Sequence, residues 1–348
     1  MKALVLKAYG KLALEEVPEP AMAEDEVLVR VKACGICGSD VHGLDGSTGR
    51  RKPPLIMGHE AAGVVAAAGP RASGWAAGDR VTFDSTVFCG ECWFCRRGRA
   101  NLCDNRRVLG VSCDEYRQDG AFAEYVAIPS RILHRLPEGV SFAHAAMVEA
   151  LSVAVHAVGM TPLLLGETAV VVGAGPIGLL VVQALRAAGC GRVVAVDIDA
   201  DRLALARRLG ADECLQPGAR GAPADATGLR VRELTGGRGA EAAFEVVGNT
   251  HALSTAVSCV RKGGSVTLVG NFSPSVELGL QAAVTREITL RGSCASCGEY
   301  PVCLDMIARK EIDPAALISA VAPLADGPAW FARLAGKEKG LMKVILTP

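Results

Sequence analysis

No stretch of this 348-residue chain constrains its fold more than Ala169 to Asp197. An apolar run, AVVVG, passes directly into GAGPIG; the helix-like PIGLLVVQALRAAG follows, and RVVAVD then ends on Asp197. Glycines at 173, 175 and 178 let the backbone approach a pyrophosphate closely. The helix opening at Pro176 and Ile177 places its positive N-terminal end at that charge. Asp197 stands nineteen residues past Gly178, where a carboxylate binds adenosine ribose hydroxyls and repels the extra phosphate of NADP. A glycine turn alone also serves to pack a helix on a strand, but in this context it predicts bound NAD. Arg202 is counted with the cofactor site, and with Arg207 it is the feature that favours a phosphate instead.

Further strands at Ala242–Val247 and Ser265–Gly270, with the helix-like THALSTAVSCVRKGG between them, extend the alternation. Strand and helix in strict turn imply a parallel sheet with crossover helices, hence an α/β fold class. Residues 1 to about 150 read differently: short β-type runs such as Glu26–Ala33, Ala61–Ala67 and Arg80–Phe83 are separated by Gly, Pro and Asp turns. After about Leu290 such short segments return and end in the strand-like LMKVILTP. Two domains are therefore predicted, as the length also requires. One is mostly β, residues 1–151 rejoined by 290–348, and the other is a nucleotide-binding α/β domain of residues 152–289. Pro217–Gly228 reads as a Gly/Ala-rich surface loop.

Lys plus Arg and Asp plus Glu balance at 37 each, so no net field draws the chain to nucleic acid or an anionic membrane. Lys7 and Lys11 interrupt the first apolar run too early for a signal peptide. The expected location is the cytoplasm, where the 13 cysteines would stay reduced.

Four of those cysteines form CGECWFCRRGRANLC, with Cys89, Cys92, Cys95 and Cys103 spaced by three, three and eight. Four thiolates on one loop wrap a tetrahedral Zn²⁺ and close its shell, which makes the ion structural. An iron–sulfur cluster uses the same ligand type and is the competing assignment. A second set is open: Cys37 in CGICGSDVH and His59 with Glu60 in GHE, joined by Glu149 farther on. Three such ligands on Zn²⁺ leave one position for a substrate oxygen, as alcohol oxidation requires. Ser39 and His42, two and five residues past Cys37, offer a hydroxyl-to-imidazole path for the released proton. Singly, Cys37, His59 and Glu60 read better as a small core thiol, a hydrogen-bonded core histidine and a surface or ion-paired carboxylate. His134, His144, His156 and His251 have no ligand-spaced partners, and Cys113, Cys190, Cys214, Cys259, Cys294, Cys297 and Cys303 read as buried small hydrophobes.

Taken in order, CGICGSDVH, GHEAAGVV, the four-cysteine loop, GAFAEY, EALSVAVHA and GAGPIG resemble the zinc-containing medium-chain alcohol dehydrogenases over nearly the whole chain. The resemblance implies a GroES-like catalytic domain, a Rossmann domain, one catalytic and one structural zinc, and a homodimer or homotetramer. It implies catalytic-zinc roles for Cys37, His59 and Glu60 and a proton-shuttle role for Ser39. Glu149 stands where many alcohol dehydrogenases have cysteine, which points to the sorbitol, xylitol and galactitol dehydrogenase branch. The activity implied is transfer of hydride from a secondary alcohol of a polyol to NAD, giving a ketone. Gly43 and Ala295 replace the aromatic residue and the arginine common in the sorbitol type, which argues against sorbitol itself. An L-threonine or butanediol dehydrogenase is the nearest alternative, and a non-catalytic zinc- and nucleotide-binding scaffold is the alternative of another class.

Overall fold

The structure, a computed structural model, describes residues 1–112, 117–217 and 225–348. It divides into two compact units, Met1–Ser152 with Ala295–Pro348, and Val153–Cys294. In the first, apolar and polar residues alternate along Glu26–Gly35, so Val27, Val29 and Val31 turn inward. This strand is the centre of a seven-stranded sheet. It pairs antiparallel with Glu60–Ala68, with Tyr125–Pro129 and with Lys343–Thr347, which arrives from the far end of the chain. Those valines pack with Phe83, Phe122, Ile128, Val344 and Phe331 in one core. Phe122 meets Phe331 edge-on with ring centres 5.7 Å apart, and truncating either to Ala would cost roughly 3–5 kcal/mol.

The second unit holds six strands, all parallel, in the spatial order Glu213–Leu215, Arg192–Val196, Thr168–Val172, Ala240–Glu245, Val260–Leu268 and Thr289–Gly292. The chain winds outward from Thr168–Val172 to one edge, then returns beside it and winds to the other. Loops at that reversal form the crevice in which open α/β sheets bind ligands. Near-continuous burial of Val170, Val172, Val194, Val196, Ala243 and Val266 is what a sheet covered on both faces demands.

Some boundaries differ from the sequence pattern. The helix that reads as THALSTAVSCVRKGG stops at Cys259, because Val260 pairs with Ala240 and starts a strand that runs to Leu268. Although short segments resume in the sequence near Leu290, that residue pairs with Val266, so the second sheet continues to Gly292. Part of the expected loop Pro217–Gly228 is helical, since Asp225–Leu234 is one helix; residues 218–224 lie outside the described residues, as does Cys113. Cys190, Cys259 and Cys303 are buried as expected, but Cys214, Cys294 and Cys297 are only half-buried. No helix among the described residues is long and apolar enough to cross a membrane.

His134 lies on the sheet edge strand Leu133–Arg135 and stacks on the buried ring of Tyr300, centroids 5.1 Å apart. Burial pushes its imidazole down to about 4. An unfolded histidine titrates near ~6.5, so between that pH and about 4 the unfolded chain takes up a proton the folded one refuses, and acid destabilises the fold. Replacing His134 with Phe keeps the stack and removes the proton. The fall in urea midpoint from pH 7.5 to pH 5 should then shrink by the equivalent of roughly 1–2 kcal/mol, and an unchanged fall would exclude this role.

Candidate metal centres and nucleotide-binding turn

Register in the first sheet assembles the candidate open metal site. Gly35 lies opposite Glu60 and Cys34 opposite Ala61, so Cys37, just beyond one strand, meets His59 and Glu60 at the start of the next. On the other flank Ile345 lies opposite Gly35, which carries Lys343 to the same end. Ligand atoms of Cys37, His59 and Glu60 all fall within 4.8 Å of one another. Glu149 does not join that cluster; its carboxylate accepts a hydrogen bond from Ser85 Oγ at 3.1 Å, and burial raises its pKa.

Glu60 is fully buried, and Lys343 Nζ donates to both of its oxygens, at 2.6 and 2.7 Å. Gly35 makes room for it, since a Cβ there would run into the carboxylate. Burial pulls the Lys343 ammonium down, but Glu60 and Cys37 outweigh that and hold it above its ordinary range. Asp40 organises the other side. Its Oδ2 accepts the Cys37 backbone N–H at 3.3 Å and its Oδ1 lies 3.4 Å from His59 Nδ1 and 3.0 Å from Arg51 Nη2. Burial alone would raise Asp40, yet His59 and Arg51 beside it lower it to about 2. Burial disfavours a charged His59 too, and Asp40 with Cys37 more than reverses this. A pocket that draws a proton onto a buried imidazole is one whose field asks for a cation. Nδ1 faces Asp40 at 3.4 Å without forming a hydrogen bond, and Nε2 is the nitrogen left for a metal.

Ser39 and His42 share the short helix Gly38–Gly43, where residues three apart lie on one face. Ser39 is exposed, and its Oγ accepts a hydrogen bond from Arg51 at 3.1 Å.

The four-cysteine loop closes on itself. Cys89, Cys92, Cys95 and Cys103 have all their sulfurs within 4.8 Å of one another. Backbone N–H groups of Cys89, Cys92 and Cys95 point at sulfurs of the same set at 3.3–3.5 Å, and such donors, led by the Glu91 N–H, lower the Cys89 thiol to about 6. A set of four sulfurs, some already drawn toward thiolate, fits a tetrahedral Zn²⁺. Cys297 Sγ is tied to the same loop through the Gly98 carbonyl at 3.0 Å.

In the second unit the turn Gly173–Gly178 follows the strand at the reversal point. Gly175 caps the helix Pro176–Ala187 without a side-chain bond, so its first N–H groups are free for an anion. A Cβ on Gly178 would strike the Gly173 carbonyl, which is why the helix can start so close to the strand. Asp197 Oδ2 accepts the Ala174 N–H at 2.6 Å and Oδ1 the Asp199 N–H at 2.9 Å. Arg202 is half-exposed and sits 3.9 Å from Asp199.

Residues 23–138 match the alcohol dehydrogenase GroES-like domain and residues 176–309 the zinc-binding dehydrogenase family. A sorbitol dehydrogenase of Bacillus subtilis (strain 168) is 33% identical over 323 residues, 92% of this chain and 89% of that one. The chain belongs to the zinc-binding alcohol dehydrogenases. Two solved structures cover 100% of this dehydrogenase and 99% of themselves, each at 29% identity: a 2R,3R-butanediol dehydrogenase from Bacillus subtilis, TM-score 0.87, and an alcohol dehydrogenase from E. coli CFT073 in complex with NADH, TM-score 0.89.

Three polar residues of the dehydrogenase's first unit escape a reading of its motifs. Asp40 left one signal, its position three residues into the helix that Cys37 caps, where its side chain reaches back to the Cys37 N–H. Lys343 and Arg51 left none, because their partners are far away in sequence.

Replacing Cys92 with Ser should lower zinc from two ions per chain to one and the thermal midpoint by on the order of 10 °C; unchanged metal content by atomic absorption would remove the four-sulfur site. Replacing Lys343 with Met strands a buried carboxylate, at a cost of about 3–5 kcal/mol. Because a metal cation beside Glu60 offsets that loss, the drop in urea midpoint should be larger after chelator treatment than with zinc present. Equal drops would separate Glu60 from the metal.

Proposed function

We propose that this dehydrogenase oxidises a secondary alcohol of a polyol or sugar alcohol to the ketone with NAD. The observation that carries the reading is the open set of Cys37, His59 and Glu60, whose Cys37 caps the short helix that carries the Ser39 hydroxyl and the His42 imidazole. Zinc held there supplies a Lewis acid that makes a substrate hydroxyl easier to deprotonate, and bound NAD supplies the hydride acceptor. Ser39 Oγ takes the alcohol proton as its own proton passes toward His42 and solvent, while the C–H electron pair leaves as hydride; the products are ketone, NADH and one proton. Lys343 holds the Glu60 carboxylate in place through both of its oxygens, and Asp40 lies against His59. Glu149, buried close enough to feel His59 and Glu60, is the reserve carboxylate for the metal.

Asp197 supports NAD over NADP: its buried carboxylate is fixed by two backbone N–H groups where a 2′-phosphate would have to sit. The relatives named for sorbitol and for butanediol support a vicinal secondary alcohol, and the latter favours a diol as the second reading. The twelve cysteines among the described residues are all free, which suits a reducing cytoplasm. Exposed Val276, Leu280 and Val284 near the edge strand Thr289–Gly292 suit a homodimer or homotetramer, which sedimentation would register.

A panel of xylitol, sorbitol, galactitol, 2,3-butanediol and L-threonine with NAD and with NADP tests the reading. At least one polyol or diol should be turned over with NAD preferred, and Cys37→Ser should abolish turnover, a loss of at least 10³-fold, while NADH binding by fluorescence persists. Inactivity toward every alcohol, or full activity in Cys37→Ser, would favour a non-catalytic scaffold.

A further inference from the structure

Arg51 is 4% exposed, and burying a guanidinium is costly unless its hydrogen bonds are placed to advantage. One nitrogen, Nη2, donates to both Asp40 Oδ1 at 3.0 Å and Ser39 Oγ at 3.1 Å. The first contact extends through Asp40 to His59; the second fills one acceptor site of the hydroxyl that receives the substrate proton. Nε is buried without a partner, so the pair with Asp40 does not satisfy the side chain, and its geometry serves the Nη2 bridge. The stem of Arg51 occupies the space above Gly43, where a Cβ would collide with Arg51 Cγ and approach its Cβ to 3.1 Å. Glycine at 43 and arginine at 51 are thus a matched pair.

We propose that Arg51 is a positioning residue for the reaction, holding the Ser39 hydroxyl in one rotamer and tying it through Asp40 to His59. The inference rests on Ser39 being the proton acceptor. With one lone pair of Oγ occupied by Arg51, the other faces the substrate and the O–H must point elsewhere, which is the arrangement a relay needs. The fixed positive charge also stabilises negative charge that builds on Oγ during transfer.

The test is a double-mutant cycle on the zinc-loaded enzyme with Arg51→Met, Ser39→Ala and both, following single-turnover NADH formation with xylitol and with 2,3-butanediol, the KM for NAD and zinc per chain. Arg51→Met should slow hydride transfer about tenfold, with zinc content unchanged and KM for NAD within twofold, and should change the rate less than twofold once Ser39 is Ala. Equal effects in both backgrounds, or zinc lost in step with rate, would overturn the inference while leaving the relay intact. Wild-type rates in Ser39→Ala would overturn relay and inference together. Gly43→Ala, which displaces the arginine without deleting its charge, should reproduce the Arg51→Met rate if that variant folds poorly, and a wild-type rate there would count against the inference. Crystals provide a readout independent of turnover: Ser39 should occupy one rotamer in the wild type and several in Arg51→Met, and a single unchanged rotamer would refute the role.

Discussion

The antiparallel register that sets Gly35 against Glu60 is the constraint on which the first unit's chemistry depends. A slip of one residue would send Glu60 to the opposite face of its strand and separate Cys37 from His59. The register is held by inward valines on the central strand and by strands on both of its flanks, one from the C-terminus. The meeting of Cys37, His59 and Glu60, which we propose hold the metal, is therefore a by-product of core packing.

Charge is managed with equal economy. Two carboxylates with essentially no exposure, Asp40 and Glu60, sit within one small region, a situation that would normally neutralise one of them. Each has instead its own buried cation, Arg51 for Asp40 and Lys343 for Glu60. His59 and Arg51 together hold Asp40 low against its burial, while Lys343 donates to both oxygens of Glu60. Such pairs add little stability for their desolvation cost; what they provide is a fixed electrostatic field around the place a divalent cation would occupy.

Much of this was legible in the sequence. The glycine turn and Asp197 stand where the alternating pattern put them, because a nucleotide turn is encoded locally, within about thirty residues. The four-cysteine loop is equally local, and its sulfurs converge. Cys37, His59 and Glu60 lie on separate segments, and their meeting followed from motif resemblance, not from spacing. Glu149 was grouped with them yet is held by Ser85, outside the three-residue cluster. Asp40, Arg51 and Lys343 were not read at all: two of them owe their roles to strand pairing and a missing side chain at Gly43, which no local pattern records. The end of the helix at Cys259 was hidden for a similar reason, since the pairing of Val260 with Ala240 outweighs its neighbours' helical periodicity.

The central claim is that strand register builds a second metal site of mixed sulfur, nitrogen and oxygen donors beside a closed four-sulfur one. Zinc K-edge X-ray absorption on fully active enzyme measures this directly. The account predicts an average shell in which sulfur shares the coordination with nitrogen and oxygen, with the outer scattering of an imidazole. A shell of sulfur alone, with no imidazole contribution at full activity, would contradict it.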